Sequence, residues 1–319
     1  MIHKDYNSNM DIVISGILPH SSIASELASQ AAKAAPTLFQ KLENSKGTVH
    51  LLDPNKTGCT PFEYWQLEHR QFAPVGQQNH AAGLGPLYAT HPHSRDQPVW
   101  LLELAHIALG AANATLLTAD DLVISESESL ALFESAQVVF SESPFKLLQF
   151  DTHRWQMDIP PDMVLPSLSP NVIASGFLYD WWPQDAASRQ LRKLLNALQV
   201  EWHEHPVNQE RQQKNLPLIN GAWVFGGAMP SQLQATPTSN PPHILRQLET
   251  AHRKQDWGHW LATLAQLEHE VFLTLLAEKD AKLILTGYDR LVVLTPATLP
   301  AWLGKLLNHN QKWKDWWCQ

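Results

Sequence analysis

Apolar residues along this chain recur in two spacings, one fitting strands and one fitting helices. The compact run from Ile12 to Leu18, closed by Pro19 and His20, predicts a buried strand leading into a turn. Residues 21–44 are rich in Ala, Ser and Leu at helical spacing and predict a helix, and residues 48–53 predict a short strand. From Pro54 to Pro98 the periodicity fails. Gly, Pro, Gln and His accumulate, only residues 61–72 keep helical spacing, and the rest is expected as a long surface loop. Residues 114–136 read as strand, turn, a second strand or loop, then a helix. Ser125 and Glu128 stand at capping-box spacing ahead of Leu130 and Phe133. Residues 146–151 and 153–160 predict an antiparallel pair, and the proline-rich stretch 160–183 a linker or crossover.

The strongest helix signal is 186–204, where Ala187, Leu191, Leu194, Leu195, Leu198 and Trp202 share one face. Pro206 forces its predecessor out of helical geometry. Residues 219–227 predict a strand meeting a glycine turn. Residues 243–253 and 257–277 predict amphipathic helices, and 282–286 with 290–295 a hairpin. The tail 298–317 reads as helical, with Trp302, Leu306, Trp313, Trp316 and Trp317 available for docking. Strands and helices mix without strict alternation. The expected class is therefore α/β with α+β features, and no repeat of solenoid period occurs.

Composition narrows the function classes. The chain has 319 residues, 44% of them hydrophobic, enough for a substantial core. Only 17% are charged and the net charge is −8, which argues against sequence-independent nucleic-acid binding. Two cysteines, Cys59 and Cys318, make neither a disulfide framework nor a zinc cluster. The N-terminus lacks a basic region, and no apolar run reaches membrane-spanning length. The expectation is a reduced, soluble, cytoplasmic protein with no nucleic-acid or membrane partner. The 13 tryptophans, among them the pairs Trp181-Trp182 and Trp316-Trp317, fill cores or serve a protein partner.

Motifs that carry chemistry are mostly missing. His203 and His205 form one His-x-His pair and His91 and His93 another, but neither has HExxH spacing. There is no phosphate-binding loop, dinucleotide fingerprint or nucleophile elbow. Ser15-Gly16, after the first strand, reads as the end of a strand. No metal and no cofactor are expected. The densest polar stretch is 203–227, HEHPVNQERQQKNLPLINGAWVFGG. His205, Asn208, Arg211, Asn220 and Trp223 are its candidate ligand-binding residues. The Arg211 fork suits a carboxylate or phosphate. Equally, His205, Asn208 and Asn220 would satisfy one another and nearby carbonyls as a polar lock. A partly exposed guanidinium bracing Asn220 is worth only about 0–1 kcal/mol.

His205-Pro206-Val207-Asn208, Arg211, Pro217, Asn220, Trp223 and Gly226-Gly227, following an amphipathic helix, resemble the signature of the RpfE-type regulatory proteins of bacteria. His153-Arg154-Trp155 resembles a further element of that family and adds Arg154 to the candidates. The family is distantly similar to archaeal-type cofactor-independent phosphoglycerate mutases. The resemblance therefore implies a degenerate alkaline-phosphatase or phosphomutase-like architecture. It covers residues 101–319, which gives an expected division into an N-terminal α/β part with the long loop, 1–100, and a signature part, 101–319, able to close into one compact domain. Those mutases carry a metal half beginning with Asp-Gly. This chain has Ser15 in the Asp place, and no later Asp/His grouping restores a two-metal site. The resemblance thus implies a non-catalytic regulatory or ligand-binding protein, with a small anionic metabolite near Arg211. The alternative is a metal-dependent, phosphoglycerate-mutase-like phosphotransferase.

Overall fold

The computed structural model describes residues 11–90, 94–109, 114–161, 163–176, 178, 184–186, 188–234, 241–277, 281–296 and 312–318. His91-Pro92-His93, Trp181-Trp182, Ala187, Trp302 and Leu306 lie outside them. In chain order the strands are β1 (Asp11–Ile14), β2 (Ser45–Leu51), β3 (Val99–Leu109), β4 (Ala114–Leu117), β5 (Lys146–Gln149), β6 (Arg154–Asp158), β7 (Gly221–Ala228), β8 (His243–Leu245), β9 (Lys282–Thr286) and β10 (Arg290–Pro296). The contacts divide the chain into two compact units. One joins Met1–Asp53 to Thr236–Gln319, and the other is Pro54–Ala235. The expected division at residue 100 is corrected by strand pairing, because β1 bonds to β8 and β9 from the far end of the chain.

The discontinuous unit holds a sheet in the order β2-β10-β9-β1-β8. β1 runs parallel to both neighbours, and its Ile12, Val13 and Ile14 are fully buried. The predicted 282–286/290–295 hairpin is β9 and β10. Two expectations change here. Helix 21–44 is two helices, Ser21–Ala34 and Pro36–Glu43. Pro36 pushes Ala35 out of helical geometry, to φ −135° and ψ 66°. Residues 243–253 begin with β8 and turn helical only at Glu249–Arg253. A three-residue strand is too short to show a period. In the tail, helix Lys312–Trp317 sets the Trp313 and Trp317 rings 4.8 and 5.1 Å from the Phe39 ring. Arg290 is fully buried, and its Nη2 donates to the Pro19 and Trp317 carbonyls at 3.1 and 2.9 Å, tying that helix down.

The continuous unit is built on β3, whose pairings are all antiparallel. β7 lies on one edge and β6 on the other, β6 pairs in turn with β5, and β4 pairs with the last four residues of β3. Leu102 and Leu104 point into one core with Trp155 and Trp202. Val99, Leu101 and Ala105 point into a second core with Leu67, Phe72 and Phe225. Helix Arg189–His203 buries Leu191, Leu194, Leu195, Leu198 and Trp202 as its spacing predicts. The expected Ser125/Glu128 capping box is formed, and a further one, Thr60/Glu63, opens helix Pro61–His69. Within the proline-rich stretch, Pro170–Ala174 is a short helix. The unit around β1 is α/β in kind and the one around β3 is α+β, so the protein is mixed α/β. Among the described residues no helix is long and apolar enough to cross a membrane.

Candidate functional site

The polar stretch after helix Arg189–His203 is organised by main-chain hydrogen bonding. Pro206 does not simply end a helix. It opens the next one, Pro206–Gln213, with His205 as N-cap. The half-buried His205 accepts the Val207 N–H at Nδ1, 3.3 Å. Burial lowers its pKa, with Glu201 opposing. Asn208 is 1% exposed, and its Nδ2 donates to the Trp202 and Ile219 carbonyls at 2.8 Å each. Its Oδ1 accepts the Ile219 N–H at 2.8 Å. One amide thus clamps the end of a helix to the entry of β7. Asn220 accepts the Ile107 N–H at 2.7 Å and donates to the Ile107 carbonyl at 3.1 Å, extending the β3–β7 ladder with a side chain. Trp223 is buried, its indole N–H on the Leu168 carbonyl at 2.9 Å.

For Arg211 the sequence leaves open a fork facing an anion and a brace on the strand entry. Arg211 is 1% exposed, and each of its three nitrogens donates within the chain. Nε bonds the Pro217 carbonyl at 2.7 Å, Nη1 the Glu128 carboxylate at 2.9 Å and Nη2 the Leu122 carbonyl at 2.6 Å. Burial alone would raise the Glu128 pKa, but bonds from Ser125 and Arg211 bring it down. The Leu122 carbonyl precedes Val123, a β-branched residue held left-handed at φ 48° and 83% exposed. Arg211 is therefore a brace across three segments, one of them strained.

Arg154 sits elsewhere on the sheet. It pairs with Glu103 at 2.6 Å, and Asp120 lies 4.0 Å from its Nη2. Its guanidinium stands 5.0 Å from the Tyr88 ring centre. Burial raises the Glu103 pKa, with Arg154 opposing. Burial also works against the Arg154 charge, but Glu103 and Asp120 overcome it, so the Arg154 pKa rises. Arg154 and Trp223 are the register partners of Glu103 on its two sides, which brings two of the six candidates together. The cavity beside Arg154 measures only about 10 Å³, room for a single water. Exposed His203 has no partner histidine in a metal arrangement. Among the described residues no three His, Cys, Asp or Glu side chains come together as a metal site.

Open space lies elsewhere in the same unit, in a cleft of about 1020 Å³. Its floor is Trp100 against Gly226 and Gly227, and residues 159–161 and 163–167 line one wall. The two glycines were expected to turn the chain. Instead both lie inside β7 at φ +105°, where the register with β3 shifts between Val99 and Trp100. A Cβ on Gly227 would collide with the Trp100 ring, and one on Gly226 would crowd the Val99 carbonyl. Glycine here permits close approach. Gln78 holds the same edge by donating to the Gly227 carbonyl at 2.9 Å. Gly226 N–H donates to Ser167 Oγ at 2.8 Å, fixing the proline-rich wall to β7. Residue-by-residue reading missed this cleft. Its available signals were the Gly-Gly pair and the proline run, which reach one place only through β3.

Fold and site together define a mixed α/β protein whose continuous unit carries an open, largely apolar cleft and, separately, a buried polar brace. No protein-family model matches the chain, and no curated protein matches it. Among solved structures it is similar to the PH0037 protein from Pyrococcus horikoshii, at 10% identity and TM-score 0.43, covering 91% of this chain and 88% of that one. It is also similar to the cofactor-independent phosphoglycerate mutase from Thermoplasma acidophilum, at 14% identity and TM-score 0.31, covering 91% and 90%. These comparisons do not show the RpfE-type family.

Proposed function

We propose that this chain is a non-catalytic ligand-binding protein of regulatory type, and that its ligand occupies the cleft lined by Trp100, residues 159–161 and residues 163–167. The observation that carries the reading is the cleft itself, about 1020 Å³ and mostly apolar, at the upper end of small-molecule sites. An anion at Arg211 would have to displace three bonds from a buried guanidinium, so the ligand is placed at the cleft instead. The regulatory character rests on the RpfE-type resemblance.

A thermal-shift screen of the full chain tests this, using amino acids, nucleosides, sugars and phosphoglycerates, repeated on Gln97→Trp. Gln97 is an exposed residue lining the cleft, so a Trp there fills space at small cost to the fold. The expected result is a compound that raises the melting temperature of the parent and not of the variant. Equal stabilisation of both, or of neither, refutes the cleft as the binding site. Turnover of phosphoglycerate with added Mn²⁺ or Mg²⁺ would overturn the non-catalytic part and restore the phosphotransferase alternative.

A further inference from the structure

The lining of the cleft contains two charged residues, Lys146 at the start of β5 and Asp158 at the end of β6. They are register partners across the antiparallel pair, so their side chains rise from the same face with Cβ atoms roughly 5 Å apart. Both are exposed. Among the described residues neither side chain has a hydrogen bond or ion pair, although the two face each other. The rest of the lining is uncharged. Trp100, Ile159, Met163, Val164 and Leu165 make an apolar body, and amides such as Gln77 stand among them. The lining therefore offers one adjacent pair of opposite charges and otherwise uncharged, mainly apolar surface.

Resting on the reading of this cleft as the ligand site, we infer that it takes a zwitterionic, amino-acid-type head group carrying an apolar side chain. The Asp158 carboxylate faces the ammonium and the Lys146 ammonium faces the carboxylate. The side chain lies on the apolar part of the lining. A simple anion meets one attractive and one repulsive partner at the same place, which is the discrimination such a pair provides. The closely spaced ammonium and carboxylate of an α-amino acid match two opposite charges on neighbouring strands better than the separated termini of a longer peptide do.

Isothermal titration of the full chain with three probes of common shape tests the inference: L-phenylalanine, 3-phenylpropionate and 2-phenylethylamine. L-phenylalanine is expected to bind at least about tenfold more tightly than either single-charge probe, one such factor corresponding to about 1.4 kcal/mol. Lys146→Gln and Asp158→Asn, both on exposed side chains, should each remove that advantage. The exchange Lys146→Asp with Asp158→Lys should restore much of it, because the zwitterion can reverse. Equal binding of all three probes, or indifference of L-phenylalanine to both single variants, overturns the inference. If none of the probes binds while Gln97→Trp abolishes stabilisation by some other compound, the head-group assignment falls and the cleft remains the binding site. If nothing binds in either experiment, both fall.

Discussion

Replacing Arg211 by Gln measures what the buried brace is worth. The substitution removes the charge and two of three nitrogen positions, leaving the Leu122 and Pro217 carbonyls and the Glu128 carboxylate without their donor. A hydrogen bond involving a charged group contributes about 1.5–3 kcal/mol, and removing one partner of a buried ion pair costs about 3–5 kcal/mol. Glu128 softens this. It is 22% exposed and keeps its bonds to Ser125, so its carboxylate can turn to water. The two carbonyls have no such escape. The expected loss is thus about 3 kcal/mol, several times the surface-brace value of about 0–1 kcal/mol that the sequence suggests. For a unit the size of Pro54–Ala235 this is a fall of roughly 6–12 °C in melting temperature. Calorimetry on the full chain would read it in the transition of that unit. Arg211→Lys keeps a charge near Glu128 but cannot span both carbonyls, so it should fall about halfway between. A loss under about 1 kcal/mol for Gln, or Lys no better than Gln, would refute the brace.

Leu198→Ala, at a fully buried position of helix Arg189–His203, should cost about 2–5 kcal/mol in a denaturant titration, whereas a solvent-facing stripe would show no change. Gly227→Ala should destabilise by more than about 1 kcal/mol, because it combines a φ of +105° with a collision against Trp100; a neutral outcome in thermal melting would mean the β7 bulge can relax. Burial lowers the folded pKa of His205, so its contribution is complete above the unfolded value of about 6.5 and is lost as pH falls through the folded value. Protonation turns the Nδ1 acceptor of the Val207 N–H into a donor, so His205→Asn should flatten the decline in stability below about pH 6.5. An unchanged slope would assign that decline to His80, His106 and His252, whose pKa values burial lowers in the same direction.

What the sequence reveals and conceals follows from how local each signal is. Helix Arg189–His203, the Ser125/Glu128 capping box and the β9–β10 hairpin depend on residues a few positions apart, so spacing alone discloses them. β3 depends on both of its faces. Val99, Leu101 and Ala105 enter one core and Leu102 and Leu104 the other, so the alternation that marks a half-exposed strand is absent. Spacing alone therefore predicts no element over Val99–Leu109, the centre of the continuous unit. The same gap explains the treatment of Arg211. In the sequence its partners Leu122 and Glu128 are more than eighty residues away, and nothing local says that a guanidinium near a helix end will be buried. Polar density in 205–223 was legible, but its meaning was not, because a chain of Asn and Arg looks alike whether it faces a ligand or the main chain. The cleft inverts the case. Its wall is proline and aliphatic, its floor a Trp against two glycines, and its two charges stand on neighbouring strands, each unremarkable alone. Buried polar groups mark where this fold is held together, and the sparsely charged cleft is lined mainly by residues that carry no such bonds.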